Sequence, residues 1–126
     1  MNFLTIIPSI YAKQEVTTTI NLDNVVAYFI DYEKDAFWLR FTLLHMSEPT
    51  RSLLLQDKVK FSNLFTGSNS LYDDPAKLEL VQATMLELNR KIYMESEKIE
   101  GKLDLNEISS FMINLLDKKP NNKDVR

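Results

Sequence analysis

Cysteine is absent from the chain, which excludes disulfides, thiolate nucleophiles, zinc ribbons and iron–sulfur centres. That absence fits a reducing compartment, and the expected location is the cytoplasm. Glycine and proline are scarce, at two and four residues, and leave little room for linkers or low-complexity sequence. No apolar run approaches the roughly 20 residues a membrane helix needs, so no membrane partner is expected. The apolar start, Met1-Asn2-Phe3-Leu4-Thr5-Ile6-Ile7, lacks a basic opening and a long hydrophobic stretch, and reads as a strand rather than a signal peptide. A basic region is missing too. Net charge is −3, with six Lys/Arg against seven Asp/Glu in residues 1–67 and nine against eleven in 68–126. Phosphate-backbone binding needs clustered cations, so nucleic acid is not an expected partner.

What is present describes one α+β domain over residues 1–126, since 44% apolar and 26% charged residues are those of a globular chain long enough to bury a core. The first half predicts an antiparallel sheet of four to five strands. Phe3 to Ile7 ends at Pro8 and suits an edge or first strand. Val16, Thr18, Ile20 and Leu22 alternate with polar residues at the strand period of two, and Asp23-Asn24 makes a bend. Val25 to Ile30 is apolar on both faces, as in a central strand. Glu33-Lys34-Asp35-Ala36 is a hairpin loop, beyond which Phe37, Leu39, Phe41 and Leu43 face one way and Trp38, Arg40 and Thr42 the other. Ser47-Glu48-Pro49-Thr50 turns the chain into a last strand at Ser52–Leu55. Asp57 caps a short helix with Phe61, Leu64 and Phe65 that stops at Gly67, which makes 1–67 a sheet subregion, and Gly67-Ser68-Asn69-Ser70 is a hinge.

The second half predicts a two-helix hairpin over 74–119. Asp74-Pro75 supplies an N-cap and an N1 proline, and Leu78, Val81, Met85, Leu88, Ile92 and Ile99 follow a 3–4 spacing, broken only at Glu95, over about seven turns. Gly101 stands where a C′ glycine belongs. Asp104 and Glu107 have capping-box spacing, Leu103 staples onto Ile108, and Ile108, Phe111, Met112, Leu115 and Leu116 form the apolar face of the last helix. Lys118 and Lys119 suit its C-terminal dipole, Pro120 ends it, and 120–126 is read as a flexible tail.

No motif demands a particular chemistry, and the expectation is a protein that is not an enzyme, with no cofactor and no metal. His45, the one histidine, has no legible triad partner and no carboxylate cluster, so a structural or surface role is favoured. Glu95, Glu97, Glu100 and Asp104 are interspersed with Lys98 and Lys102 and read as a solvated face. A planar, cationic grouping carries more information. Trp38 and Arg40, with Tyr28 and Tyr32, are read onto the outer face of the sheet, while Asn89, Arg90 and Tyr93 lie off the apolar stripe of the long helix. Such groups stack on a base and hold a phosphate or ribose, and they are also what subunit interfaces use. An aromatic second face on the sheet needs a cover, which predicts self-association.

The stretch Ile20–Phe29, then Phe37-Trp38-Leu39-Arg40-Phe41, then Ser52–Asp57 and a short helix resembles small β-sheet modules of the flagellar FlbD type over the first half of the chain. Such a sheet followed by two C-terminal helices is similar to phage anti-Thoeris proteins. That resemblance implies an oligomeric, non-enzymatic sponge that sequesters cyclic nucleotide or ADP-ribose-derived signals between subunits. The expected partners are therefore the chain itself and a nucleotide-like ligand; the candidate contacts, Trp38, Arg40, Asn89, Arg90 and Tyr93, come from the planar, cationic grouping and not from the resemblance. The alternative is an inhibitor or adaptor that binds a protein, such as an anti-defence product occupying a host enzyme.

Overall fold

The computed structural model describes residues 2–56 and 74–118. The short helix expected after Asp57, the hinge at 67–70 and the tail at 120–126 lie outside those residues. The architecture is α+β, as the periodicities predict, and among the described residues both α-helices fall in the second half. Among the described residues the strands number six rather than four or five, and they divide into two sheets of three.

In the first sheet, β1 (Phe3–Ile7) is the central strand, with β2 (Thr18–Asn21) antiparallel on one side and β6 (Glu100–Asp104) parallel on the other. Leu4, Ile6, Ile20 and Leu103 face inward together and are buried. The second sheet is antiparallel, in the order β3 (Val25–Tyr32), β4 (Ala36–Leu43), β5 (Thr50–Gln56). Its register follows from the two-residue hairpin loop. Glu33 and Ala36 exchange both backbone hydrogen bonds, at 2.9 and 3.2 Å, and Lys34 and Asp35 take φ of 57° and 60°. Positive φ at both loop positions matches the right-handed twist of the strands it joins. The pairs Tyr32↔Phe37, Ile30↔Leu39 and Tyr28↔Phe41 then share the inner face, and Asp31↔Trp38 and Phe29↔Arg40 the outer one.

Two strand readings are corrected by this topology. Val25 to Ile30 was expected at the centre of a sheet, but β3 is an edge and β4 is central. The outer face of β3, with Val26, Ala27 and Phe29, is exposed, and an apolar run looks the same in sequence whether a neighbouring strand covers it or not. Ser52–Leu55 lies within β5, but it is not the last strand, because β6 returns to the first sheet after the long helix.

Helix α1 (Pro75–Ser96) begins as expected. The Asp74 carboxylate accepts from the backbone N–H groups of Ala76 and Lys77 at 2.9 and 3.4 Å, and Pro75 occupies the first turn. Its 22 residues make about six turns rather than seven. Val81, Leu88 and Ile92 are buried as predicted, Leu78 and Met85 sit at the rim, and Ile99, past the helix end, is 81% exposed. Lys77, Leu80 and Thr84 are buried instead, so the true stripe is centred slightly off the predicted one.

The helical pair is interrupted by β6 and is not a plain hairpin. Gly101 is a strand residue whose missing side chain lets the last turn of α1 lie over β6: a Cβ there would fall 2.5 Å from the Glu95 carbonyl oxygen. Helix α2 (Leu105–Lys118) follows β6 directly. Asp104 caps it, accepting from the Asn106 backbone N–H at 3.0 Å, but Glu107 does not complete a capping box and pairs instead with Lys91 of α1. Both sheets and both helices contribute to one core, in which Phe37, Leu39, Leu88, Ile108 and Met112 are fully buried.

Candidate functional site

Alternation along β4 aims Trp38 and Arg40 away from the core, and strand pairing adds neighbours from both sides. Asp31 lies opposite Trp38, and Arg51 of β5 lies opposite Arg40. Two guanidinium groups side by side repel unless an anion intervenes. Glu33 supplies it: one carboxylate oxygen accepts from Arg40 at 2.7 Å and from Arg51 at 3.0 Å, while Asp31 takes the Arg40 Nε at 3.1 Å. The Arg51 guanidinium also stacks 4.1 Å from the centroid of Trp38, whose indole N–H donates to the Glu33 carbonyl at 3.1 Å. Trp38 packs further on a small cluster of Ala12, Ala36 and Leu53, against which Tyr11 also lies, so the loop between β1 and β2 covers part of this face.

The result is a neutral, internally paired cluster of two carboxylates and two guanidiniums around one indole. An anion would have to displace Glu33 to reach both arginines. Asp31, Glu33 and Arg51 were missed as site residues, although the hairpin turn alone would have placed Asp31 beside Trp38.

Tyr28 and Tyr32 do not share this face. Both alternate inward, Tyr28 at 5.8 Å from Phe41 and Tyr32 edge-on to Phe37 at 4.8 Å between ring centroids. The Tyr28 hydroxyl donates to the Asn89 side-chain oxygen of α1 at 2.7 Å, and burial pushes the phenol above its ordinary pKa, so it remains a donor. Asn89 thus ties the helix to β3. Arg90 forms a two-pronged contact with Glu87, at 3.0 and 2.7 Å, and this hydrogen bond holds the Glu87 carboxyl below its usual range. Tyr93 projects from the next turn, 68% exposed. The five nominated residues therefore form two groups on opposite sides of the second sheet: Trp38 and Arg40 outside it, and Asn89, Arg90 and Tyr93 on the helix that covers its inside. One chain does not bring them together.

Between the two helices runs an open groove of about 420 Å³, lined by Glu87, Lys91, Asn106, Glu107, Ser110, Phe111 and Asn114. A smaller recess of about 60 Å³ adjoins it, and the Lys91–Glu107 ion pair lines both. Unlike typical small-ligand sites, which enclose most of the ligand surface, the groove is open and already neutralised.

A second polar group escaped the sequence reading because it is buried. Lys77 is fully enclosed, with its ammonium 4.0 Å from the Tyr32 ring centroid, and Tyr32 donates to Asp35 at 3.4 Å. Burial, together with the nearby Asp35 and Asp74 carboxylates, pushes the Tyr32 phenol up to about 12. A phenol held there donates at neutral pH and does not serve as a base.

His45 is exposed in the loop after β4, at φ 67°, where the chain reverses. Among the described residues, no group of three or more His, Asp or Glu is placed to hold a metal ion. Two of the acidic residues near the end of α1, Glu95 and Asp104, are occupied structurally. Glu95 accepts from the Lys102 backbone N–H at 2.8 Å and from the Lys98 ammonium at 2.9 Å, which lowers its pKa, and Asp104 caps α2. No helix among the described residues is long and apolar enough to cross a membrane. No family model, no curated protein and no solved structure matches the chain.

Proposed function

We propose that the chain is a non-enzymatic, homo-oligomeric binding protein that holds a nucleotide-like ligand between copies. The observation that carries this reading is the exposed pair of Arg90 and Tyr93 on α1, which has solvent on its far side, whereas Trp38 and Arg40 are already engaged by Asp31, Glu33 and Arg51. Arg90 borders the small recess beside α2 and Tyr93 is 68% exposed, so a base stacked on Tyr93 would leave its other face in water. A second copy supplies the missing wall. The resemblance to signal-sequestering phage proteins points to the same chemistry, with cyclic nucleotides and ADP-ribose-derived signals as the ligand class.

Isothermal titration against a panel of cyclic nucleotides and ADP-ribose isomers tests the ligand. The expected result is binding to at least one member that weakens about fivefold or more in Arg90→Ala and Tyr93→Ala, since a stacking or charge-assisted contact contributes about 1–3 kcal/mol. Silence across the panel would remove the ligand part of the reading.

The exposed apolar residues favour one alternative. Leu86 and Met94 flank Arg90 and Tyr93 on α1, and an aliphatic, aromatic and arginine patch is also the composition of a protein-binding hot spot. In this second reading the chain is an inhibitor or adaptor for another protein. Stoichiometric capture of a protein partner, lost in Tyr93→Ala, would select it over the ligand.

A further inference from the structure

The strand edges of this molecule are not treated alike. On β5, the backbone N–H of Leu53 donates to the Glu15 carboxylate at 2.9 Å and its carbonyl accepts from the Ser9 hydroxyl at 2.9 Å, so side chains of the β1–β2 loop plug that edge. On β6, the Lys102 N–H is taken by Glu95. The β2 edge is only four residues long. Short or plugged edges are how proteins prevent unwanted strand pairing. β3 has eight residues, and among the described residues it has no comparable plug along its middle.

Its register shows which groups are open. Glu33 and Ala36 form a hydrogen-bonded pair, so in the antiparallel ladder Asp31, Phe29 and Ala27 direct their backbone groups toward β4. Tyr28 and Ile30 direct theirs outward, and among the described residues nothing bonds to them. At Tyr32 the outward N–H is taken by the Asp31 carboxylate at 2.8 Å. The open stretch is thus centred on Phe29.

We infer that β3 is the seam of a two-fold dimer, pairing antiparallel with β3 of a second copy of this chain about Phe29. Tyr28 then exchanges backbone hydrogen bonds with the partner's Ile30, and Ile30 with the partner's Tyr28. The two Phe29 side chains meet across the axis as a close, non-hydrogen-bonded pair. Three observations select a second copy as the occupant. Residues 25–30 carry no charge, so a chain of net charge −3 meets itself there without repulsion. This register sets Asp31 opposite the partner's Ala27, whereas a seam centred two residues later would oppose the two Asp31 carboxylates. Finally, both sides of the edge carry unburied apolar surface. Phe29 is 41% exposed on the outer side. On the inner side, the Asn89–Tyr28 hydrogen bond shows which flank of α1 overlies β3, and helical spacing puts Leu86 and Tyr93, 73% and 68% exposed, on that flank. The same two-fold that joins the strands brings these helix residues toward their copies.

This inference rests on the homo-oligomer proposed above and gives it a geometry. Because the chain has no cysteine, single introduced thiols test it cleanly. Phe29→Cys should form a disulfide-linked dimer on mild oxidation, because a non-hydrogen-bonded antiparallel pair has Cα atoms about 4.5 Å apart, within disulfide range. Ala27→Cys and Asp31→Cys should each stay unlinked alone and cross-link when mixed. Thr19→Cys, on the β2 edge, should stay unlinked. If wild type is a dimer but Phe29→Cys fails to link, or links no faster than Thr19→Cys, the seam is wrong while the homo-oligomer stands. A wild type that remains a single chain overturns both. Cross-linking of Phe29→Cys alongside silence toward every nucleotide leaves the seam and removes only the ligand.

Discussion

Gly101 shows how a residue's identity can be visible in sequence while its reason is not. It was read as the glycine that ends a helix, a role that depends on left-handed backbone. In the structure it is a strand residue, and what it provides is space for the Glu95 backbone. Gly101→Ala is therefore expected to destabilise the protein by about 1–3 kcal/mol, as overpacking does when the obstacle is backbone that cannot move aside. Denaturant unfolding checks this, and an unchanged midpoint would show that α1 can shift away from β6. Tyr32 was misplaced by parity: it belongs to the inward set with Ile30 and Tyr28, and its burial beside Asp35 raises the phenol from 10.0 to about 12. The native state thus keeps this proton where the unfolded chain has lost it. The associated stability is complete below pH 10 and is lost as pH rises from 10 toward 12. Comparing wild type with Tyr32→Phe isolates this effect, because the two proteins differ only in the phenol hydroxyl. Wild type should lose more stability than the variant over that interval, and equal losses would contradict the placement of Tyr32.

At the scale of elements, what was legible was what local chemistry determines. The Asp74-Pro75 helix start, the Phe37–Leu43 alternation and the inward face of Ile108, Met112 and Leu116 were all readable, because caps and periodicity act within a few residues. β6 was not readable. Glu100–Asp104 offers only Gly101 and Leu103 as inward positions, and it becomes a strand by pairing in parallel with β1, almost a hundred residues earlier. The outer-face cluster was half legible. The Glu33–Ala36 turn could have fixed the β3–β4 register and thereby set Tyr28 inside and Asp31 beside Trp38, but the bulge between Phe37 and Trp38 hides the pairing of Arg51 with Arg40. The turn also retains removable strain. Lys34 holds a left-handed conformation that asparagine adopts more readily. Lys34→Asn is expected to stabilise the protein by about 0.5–1 kcal/mol, measured as a rise in thermal midpoint, and a fall would mean that Lys34 makes a contact that outweighs the strain.

For the whole molecule, one shared core links two sheets whose free edges are protected unequally. β5 and β6 are closed by side chains, while the middle of β3 is open among the described residues and bordered by Phe29 on one side and by Leu86 and Tyr93 on the other. Self-association was expected from an aromatic outer face. In the structure that face is largely satisfied by its own ion pairs and the Tyr11–Ala12 loop, so the case for a second copy moves from the face of the sheet to its edge. The proposed ligand contacts on α1, and the alternative protein-binding patch beside them, lie close to this question, because α1 borders the open edge. Light scattering of wild type and Phe29→Lys over a dilution series tests it most directly, with circular dichroism confirming that the variant is folded. The account predicts twice the mass of one chain for wild type and the mass of one chain for folded Phe29→Lys; a wild type that stays at one chain's mass at its highest soluble concentration would contradict it.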